Sequence, residues 1–245
     1  MDLGLQGKRA AVQGASSGLG FAIAKVLASE GANVVICSRD FARIQAAANS
    51  IPNTHPLALD LDQPGKGVEF VQKTVEILGG IDILVTNSGG PPKGDFEGLS
   101  LKDWEAGYRR LWQSAIESIR EAIPLMKAQK SGRILLSTST AAKEPIPHLT
   151  ISNAYRSGLL GLMKSLSLEL ASSYITVNAL LPGFTRTKRM EDWGVPLDQI
   201  AQGVPMGRLA EPEEFGALAA FLASTHASYI TGQAIACDGG LLKGI

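Results

Sequence analysis

The stretch Ala10-Ala11-Val12-Gln13-Gly14-Ala15-Ser16-Ser17-Gly18-Leu19-Gly20 decides the fold of this chain. It begins as a short apolar run, turns through three glycines, and continues as Phe21-Ala22-Ile23-Ala24-Lys25-Val26-Leu27. Leu19, Ile23, Val26 and Leu27 recur at helical spacing. Strand, glycine turn and helix therefore open the protein. Glycines let backbone amides approach a pyrophosphate closely, and the helix N-terminus adds the positive end of its dipole. A glycine turn can also simply close a loop. The nucleotide reading therefore depends on what the rest of the chain places beside it.

Outward from this unit the same alternation repeats. Apolar runs at 33–37, 55–59, 81–85, 133–136, 175–180 and 234–237 read as strands, and 42–49, 68–78, 101–126, 152–170 and 212–223 read as helices. The last helix starts at Pro212, a favoured first position. The helix at 101–126 carries Leu101, Trp104, Tyr108 and Leu111 on one stripe. Strands that alternate with helices make βαβ units, and near-continuous apolar strands are those covered on both faces. The fold class is thus α/β, a doubly wound parallel seven-stranded sheet (a Rossmann fold) in a single domain over 1–245. The segment 184–210 is long for a connection and follows a strand's carboxyl end. It is expected to form a lid over a site, the alternative being a helical excursion that pads the surface.

Bulk properties narrow the function classes. The 245 residues suffice for one well-buried α/β domain. Lys+Arg and Asp+Glu number 23 each, with no block of like charge, which argues against nucleic acid or an anionic membrane as partner. Cys37 and Cys237 lie far apart in apolar runs and read as buried free thiols of a reducing compartment. Residues 1–6 lack the basic region and apolar core of a secretory signal, and no apolar run reaches the ~20 residues that span a bilayer. A cytoplasmic location is expected. No His, Cys, Asp or Glu cluster stands at ligand spacing, so no metal is expected.

Ligands of open parallel sheets bind beyond the carboxyl ends of the strands. This chain places there the turn Gly14 to Gly20 with Ser16, Ser17 and Leu19, then Ser38 and Arg39, Asp60, Asn87-Ser88-Gly89, Ser139, and Pro182-Gly183. An acidic residue after the second strand would suit the ribose hydroxyls of NAD. Ser38 and Arg39 stand there instead, and a guanidinium suits a 2′-phosphate, so NADP is expected over NAD. Asp40 could be argued for NAD, but it stands where a cap of the following helix belongs.

The glycine turn, Asn87-Ser88-Gly89-Gly90, Asn178-Ala179-Leu180-Leu181-Pro182-Gly183, and Thr231-Gly232-Gln233 with Asp238-Gly239-Gly240 together resemble the classical short-chain dehydrogenases/reductases. The resemblance runs through the whole chain and is greatest to the 3-oxoacyl-carrier-protein reductase branch. It implies that Gly14, Gly18 and Gly20 contact the cofactor, Asp60 and Leu61 flank the adenine, Asn87 lies by the ribose, and Thr187 meets the nicotinamide amide. It also implies a homodimer or homotetramer built on the long helix and the one after the fifth strand. Gln13 stands where the family has Thr, and Ser88-Gly89 where it has Asn-Ala.

The catalytic positions depart further. The family uses a Ser, a Tyr with a Lys four residues later, and an Asn on the long helix. Ser139 fits the Ser, but the Tyr position holds Ser152, the Lys position Arg156 and the Asn position Leu111. A Ser hydroxyl does not ionise near neutral pH as a tuned phenol can, and Arg does not give up its proton. Two nearby residues are candidate replacement acids. His148 precedes Ser152 by four residues and carries the imidazole commonly used for acid–base work, and Tyr155 follows it by three on the same helix. A solvated loop histidine and a packing tyrosine are the alternatives. Two functions stay open: an NADP-dependent oxidoreductase acting on a small carbonyl or alcohol with non-standard residues, or a dinucleotide-binding protein without hydride transfer that acts as a sensor or partner subunit.

Overall fold

The structure is a computed structural model that describes every residue except Trp193 and Ile245. Seven strands form one parallel sheet in the order β3-β2-β1-β4-β5-β6-β7. They are β1 (Arg9–Val12), β2 (Asn33–Ser38), β3 (Thr54–Ala58), β4 (Ile83–Thr86), β5 (Gly132–Ser137), β6 (Ile175–Pro182) and β7 (Ala234–Cys237). Each expected strand is present, with ends shifted by a residue or two. In register, Val12 sits between Ile36 and Val85.

Strand residues alternate between two cores, as the period of two requires. Val12, Val34 and Ile36 face α1 (Gly18–Ser29), α2 (Phe41–Asn49) and α9 (Pro212–Ala223), packing with Ile23, Leu27, Ile44 and Phe215. Ala11, Val35 and Cys37 face the other layer, α3 (Lys66–Leu78), α5 (Ser114–Ala128) and α6 (Thr150–Leu170), packing with Phe70, Ile119, Met126 and Leu159. Burial of these side chains on both faces is what holds the sheet between its helices.

The long helix is not uniform. It runs as α4 (Leu101–Gly107), a π-helical segment over Tyr108–Gln113, and α5. The wider π turn changes the angular step, so the expected apolar stripe does not share one face. Leu111 is 3% exposed, whereas Leu101 is 87% and Tyr108 42% exposed. The expectation for the thiols also needs correction. Cys37 is buried and burial pushes its thiol up to about 12, but Cys237 on edge strand β7 is only half-buried.

The segment after β6 contains two short helices, α7 (Lys188–Glu191) and α8 (Leu197–Gln202). Trp193 between them lies outside the described residues. The apolar C-terminus folds back on its own chain: the Lys243 and Gly244 amides donate to Glu144 Oε1 at 2.7 and 2.8 Å. Among the described residues no helix is long and apolar enough to cross a membrane.

Candidate active site

The chain crosses over between β1 and β4, and a crevice opens there at the strands' carboxyl ends. Gly14 and Gly18 adopt φ of +58° and +62°, which only glycine takes without strain. Gly20 is required for a different reason. A Cβ there would stand 2.5 Å from the Gly14 carbonyl oxygen. Asn87 fastens this turn: its Nδ2 donates to the carbonyls of Gln13 at 3.2 Å and Gly14 at 3.1 Å. Asn87 therefore bridges β4 to the end of β1 as well as lining the cavities. Gln13 is buried and donates to Ser118 Oγ at 2.7 Å, so it ties the turn to α5.

A cavity of about 730 Å³ extends from this turn over β1 to β4. Gly14, Ser16, Ser17, Ser38, Arg39, Asp60, Leu61, Asn87, Ser88 and Gly89 all line it, as the sequence reading expects. Asp40 caps α2, accepting from the Arg43 amide at 2.9 Å, which leaves it the cap role expected of it. Arg39 is exposed and makes no hydrogen bond or ion pair among the described residues. Arg43 reaches Ser17 Oγ at 3.3 Å, which places a second guanidinium at the same end. Ser17 precedes α1 without capping it by its side chain, leaving helix N–H groups for an anion. Glycines that admit backbone alone, an anion-ready helix N-terminus and paired arginines fit a phosphorylated dinucleotide.

A second cavity of about 160 Å³ adjoins the first, and the two share Asn87, Ser88 and Arg189. It brings together Leu19, Ser139, Ser152, Arg156, Pro182, Gly183 and Thr187 from four separate parts of the chain. Gly183 is close to β7, where a Cβ would meet Asp238 Cα at 2.6 Å. Ser139 begins a short turn at the end of β5, and its Oγ accepts from the Ala141 amide at 3.1 Å. Ser152 Oγ accepts from Arg156 Nε at 3.1 Å. Each hydroxyl thus already accepts one N–H and keeps its own proton to donate.

Arg156 is 7% exposed and has no carboxylate partner. Its Nη1 donates to the carbonyl of Thr138 at 2.5 Å and more distantly to that of Ser137 at 3.5 Å. Its Nη2 makes no hydrogen bond, and the residue lines the cavity. Burial, and secondarily the charge of Arg189, push the guanidinium down to about 10.

The two candidate replacement acids are not part of this assembly. His148 is exposed, its Nδ1 lies 3.0 Å from Asp95, and it lines neither cavity. Tyr155 points the other way. Its hydroxyl donates to the Trp104 carbonyl at 3.2 Å, its ring packs edge-on to Trp104 and Tyr108, and burial raises it above the ordinary phenol. Three residues along a helix rotate a side chain far enough to leave the pocket. Leu111, on the π segment, lines a void of about 10 Å³ with Arg156 and Ser88, where the resembling family would place an amide. Among the described residues no three His, Cys, Asp or Glu could hold a metal.

The structure adds residues that the sequence reading missed. Arg110, one position before Leu111, pairs with Asp62 Oδ2 and donates to the Gly90 carbonyl at 3.0 Å. It joins the loops after β3 and β4 across the floor of the larger cavity. Asp62, two residues past Asp60, and Arg189, two past Thr187, were findable by extending those motifs. Arg110 was not, because a π turn decides where it points.

Comparison with known proteins agrees with this geometry. The family model described as enoyl-(acyl carrier protein) reductase matches residues 14–242. The NADPH-dependent reductase BacG of Bacillus subtilis is 35% identical, covering 97% of this chain and 99% of that protein. The 3-oxoacyl-[acyl-carrier-protein] reductase FabG of Thermotoga maritima is 32% identical, with 97% and 99% covered. The crystal structure of YwfH, an NADPH-dependent reductase involved in bacilysin biosynthesis, superposes with a TM-score of 0.94 at 35% identity over 98% of this chain and 100% of that one. L-sorbose reductase from Gluconobacter frateurii, complexed with NADPH and L-sorbose, gives 0.93 at 31% identity with both chains fully covered. The glycine turn, the switch-point crevice and the paired arginines have the same meaning as these likenesses: the chain belongs to the classical short-chain dehydrogenase/reductase family, of the 3-oxoacyl-carrier-protein reductase-like kind, with NADP(H) as its cofactor.

Proposed function

We propose that the protein reduces the carbonyl of a small molecule with NADPH, using Ser139, Ser152 and Arg156 in place of the family's tyrosine-lysine pair. The observation that carries this reading is the convergence of three free donors on one cavity: the two serine O–H groups and Arg156 Nη2. Such a set holds a carbonyl oxygen and stabilises the negative charge that develops on it. NADPH, when bound, supplies the hydride. The residues that would hold it are the Gly14–Gly20 turn, Ser38, Arg39, Asp60, Leu61, Asn87, Ser88, Gly89, Arg156, Pro182, Gly183 and Thr187. None of the three donors titrates near neutrality, so the proton that completes the alcohol comes from water. We further take 184–210 as a closing segment over the cavities, since Arg189 and Met190 line the second of them. A cytoplasmic homodimer or homotetramer is part of the same reading, supported by exposed apolar residues on α4 and α6 such as Leu101 and Leu168.

The test is NADPH oxidation followed at its absorbance across a panel of small ketones and keto acids. Turnover is expected, with Ser139→Ala lowering kcat by ~10²–10³-fold. NADPH binding without turnover of any panel member would instead support the non-catalytic dinucleotide-binding alternative.

A further inference from the structure

Cations gather where the two cavities meet, without enough anions to balance them. Arg110 is neutralised by Asp62. Arg156 is buried with no carboxylate partner and a free Nη2. Arg189, on α7, lines both cavities and its guanidinium lies against Gly90, where any Cβ would clash with it. It makes no hydrogen bond or ion pair among the described residues, although Asp192 lines the same cavity. Burial, then the charge of Arg110, depress its affinity for a proton, and Arg189 does the same to Arg156. Each of these cations disfavours its neighbour until an anion enters between them.

The cofactor brings anions of its own, but the structure provides for them elsewhere. The N-terminus of α1 would receive the pyrophosphate, and Arg39 with Arg43 would receive the 2′-phosphate. We propose that the substrate is a keto acid whose carboxylate is held by Arg189, which leaves its carbonyl against Ser139, Ser152 and Arg156 Nη2. Arg189 then selects acids over neutral ketones by a charge-assisted, bidentate contact. This rests on the reductase reading given above and deepens it.

The experiment titrates the protein with NADP+ bound, which has no hydride to give, against acetoacetate and its methyl ester by calorimetry. The acid is expected to bind at least about tenfold more tightly than the ester. Arg189→Met, on an exposed helix, should weaken the acid by about 10–100-fold while the ester and NADP+ stay within about two-fold. Arg189→Lys should restore part of the loss. Equal affinity for acid and ester overturns the proposal, as does failure of both to bind. A loss in Arg189→Met that falls on NADP+ and not on the acid also overturns it, and assigns Arg189 to the pyrophosphate. Binding of the acid in a protein that oxidises no NADPH would refute the reductase reading alone.

Discussion

Replacing Arg156 by methionine should leave the free protein as stable as wild type or more so, and this runs against the usual effect of altering a buried residue. The guanidinium is held down at about 10, some two to three decades below its ordinary value, by burial first and Arg189 second. At ~1.4 kcal/mol per decade, that gap is a destabilisation of about 3 kcal/mol. The sign follows from linkage. The unfolded chain binds this proton more tightly, so the cost is fully present below pH 10 and is relieved only as pH rises through that range. Methionine has similar bulk and removes the cost, but it orphans the Thr138 carbonyl that Nη1 now satisfies, at about 1–3 kcal/mol. The net expectation at pH 7 is between no change and a gain of about 2 kcal/mol. Urea unfolding is the assay, because a guanidinium salt would screen the charge being measured. The difference between variant and wild type should hold constant between pH 6 and 9, and turnover should be lost. A destabilisation beyond about 2 kcal/mol would refute the reasoning, since it would mean that the buried cation is favourably compensated.

Other perturbations test other links. Gly20→Ala drives a Cβ to 2.5 Å from the Gly14 carbonyl oxygen and 2.7 Å from Asn87 Nδ2, the acceptor and donor of one hydrogen bond; a stability loss of about 1–3 kcal/mol is expected, with NADPH affinity reduced at least about tenfold by titration. Arg39→Ala should weaken NADPH by about 10–100-fold and leave NADH unchanged, and equal losses for both would contradict the 2′-phosphate role. The pH profile of kcat/KM should be level from pH 6 to 9, and an ionisation near neutrality would point to a proton donor other than water. At the opposite end of the sheet, burial would raise Asp82, but hydrogen bonds and charge from Arg9 overcome it and hold the carboxyl below its ordinary 3.8. Its stabilisation is therefore present above that value and lost as pH falls, so Asp82→Asn should be less stable at pH 7 and converge on wild type in acid urea titrations.

Much of this molecule is legible in the chain because its signals are local or strictly ordered. The glycine turn needs only neighbouring residues to define it, and each apolar run between helical patterns becomes a parallel strand with little choice of topology. Ser139, Ser152 and Arg156 were countable by position and do share one cavity. What counting could not supply is direction. His148 and Tyr155 stand as near to Ser152 in sequence as Arg156 does, yet one faces solvent beside Asp95 and the other packs under Trp104. The π turn at Tyr108–Gln113 sends Leu111 inward and Arg110 to Asp62, a change of angular step that no residue type announces. By itself the sequence determined the sheet, the cofactor and the presence of Ser152 and Arg156 four residues apart on one helix, since each depends on residue identity and order along one chain. Only the tertiary structure decided which side chains share the cavity with these two positions. The free Nη2 of Arg156 and its unbalanced neighbour Arg189 come from segments distant in the chain, and it is burial that removes the water which would otherwise screen the charge of Arg156.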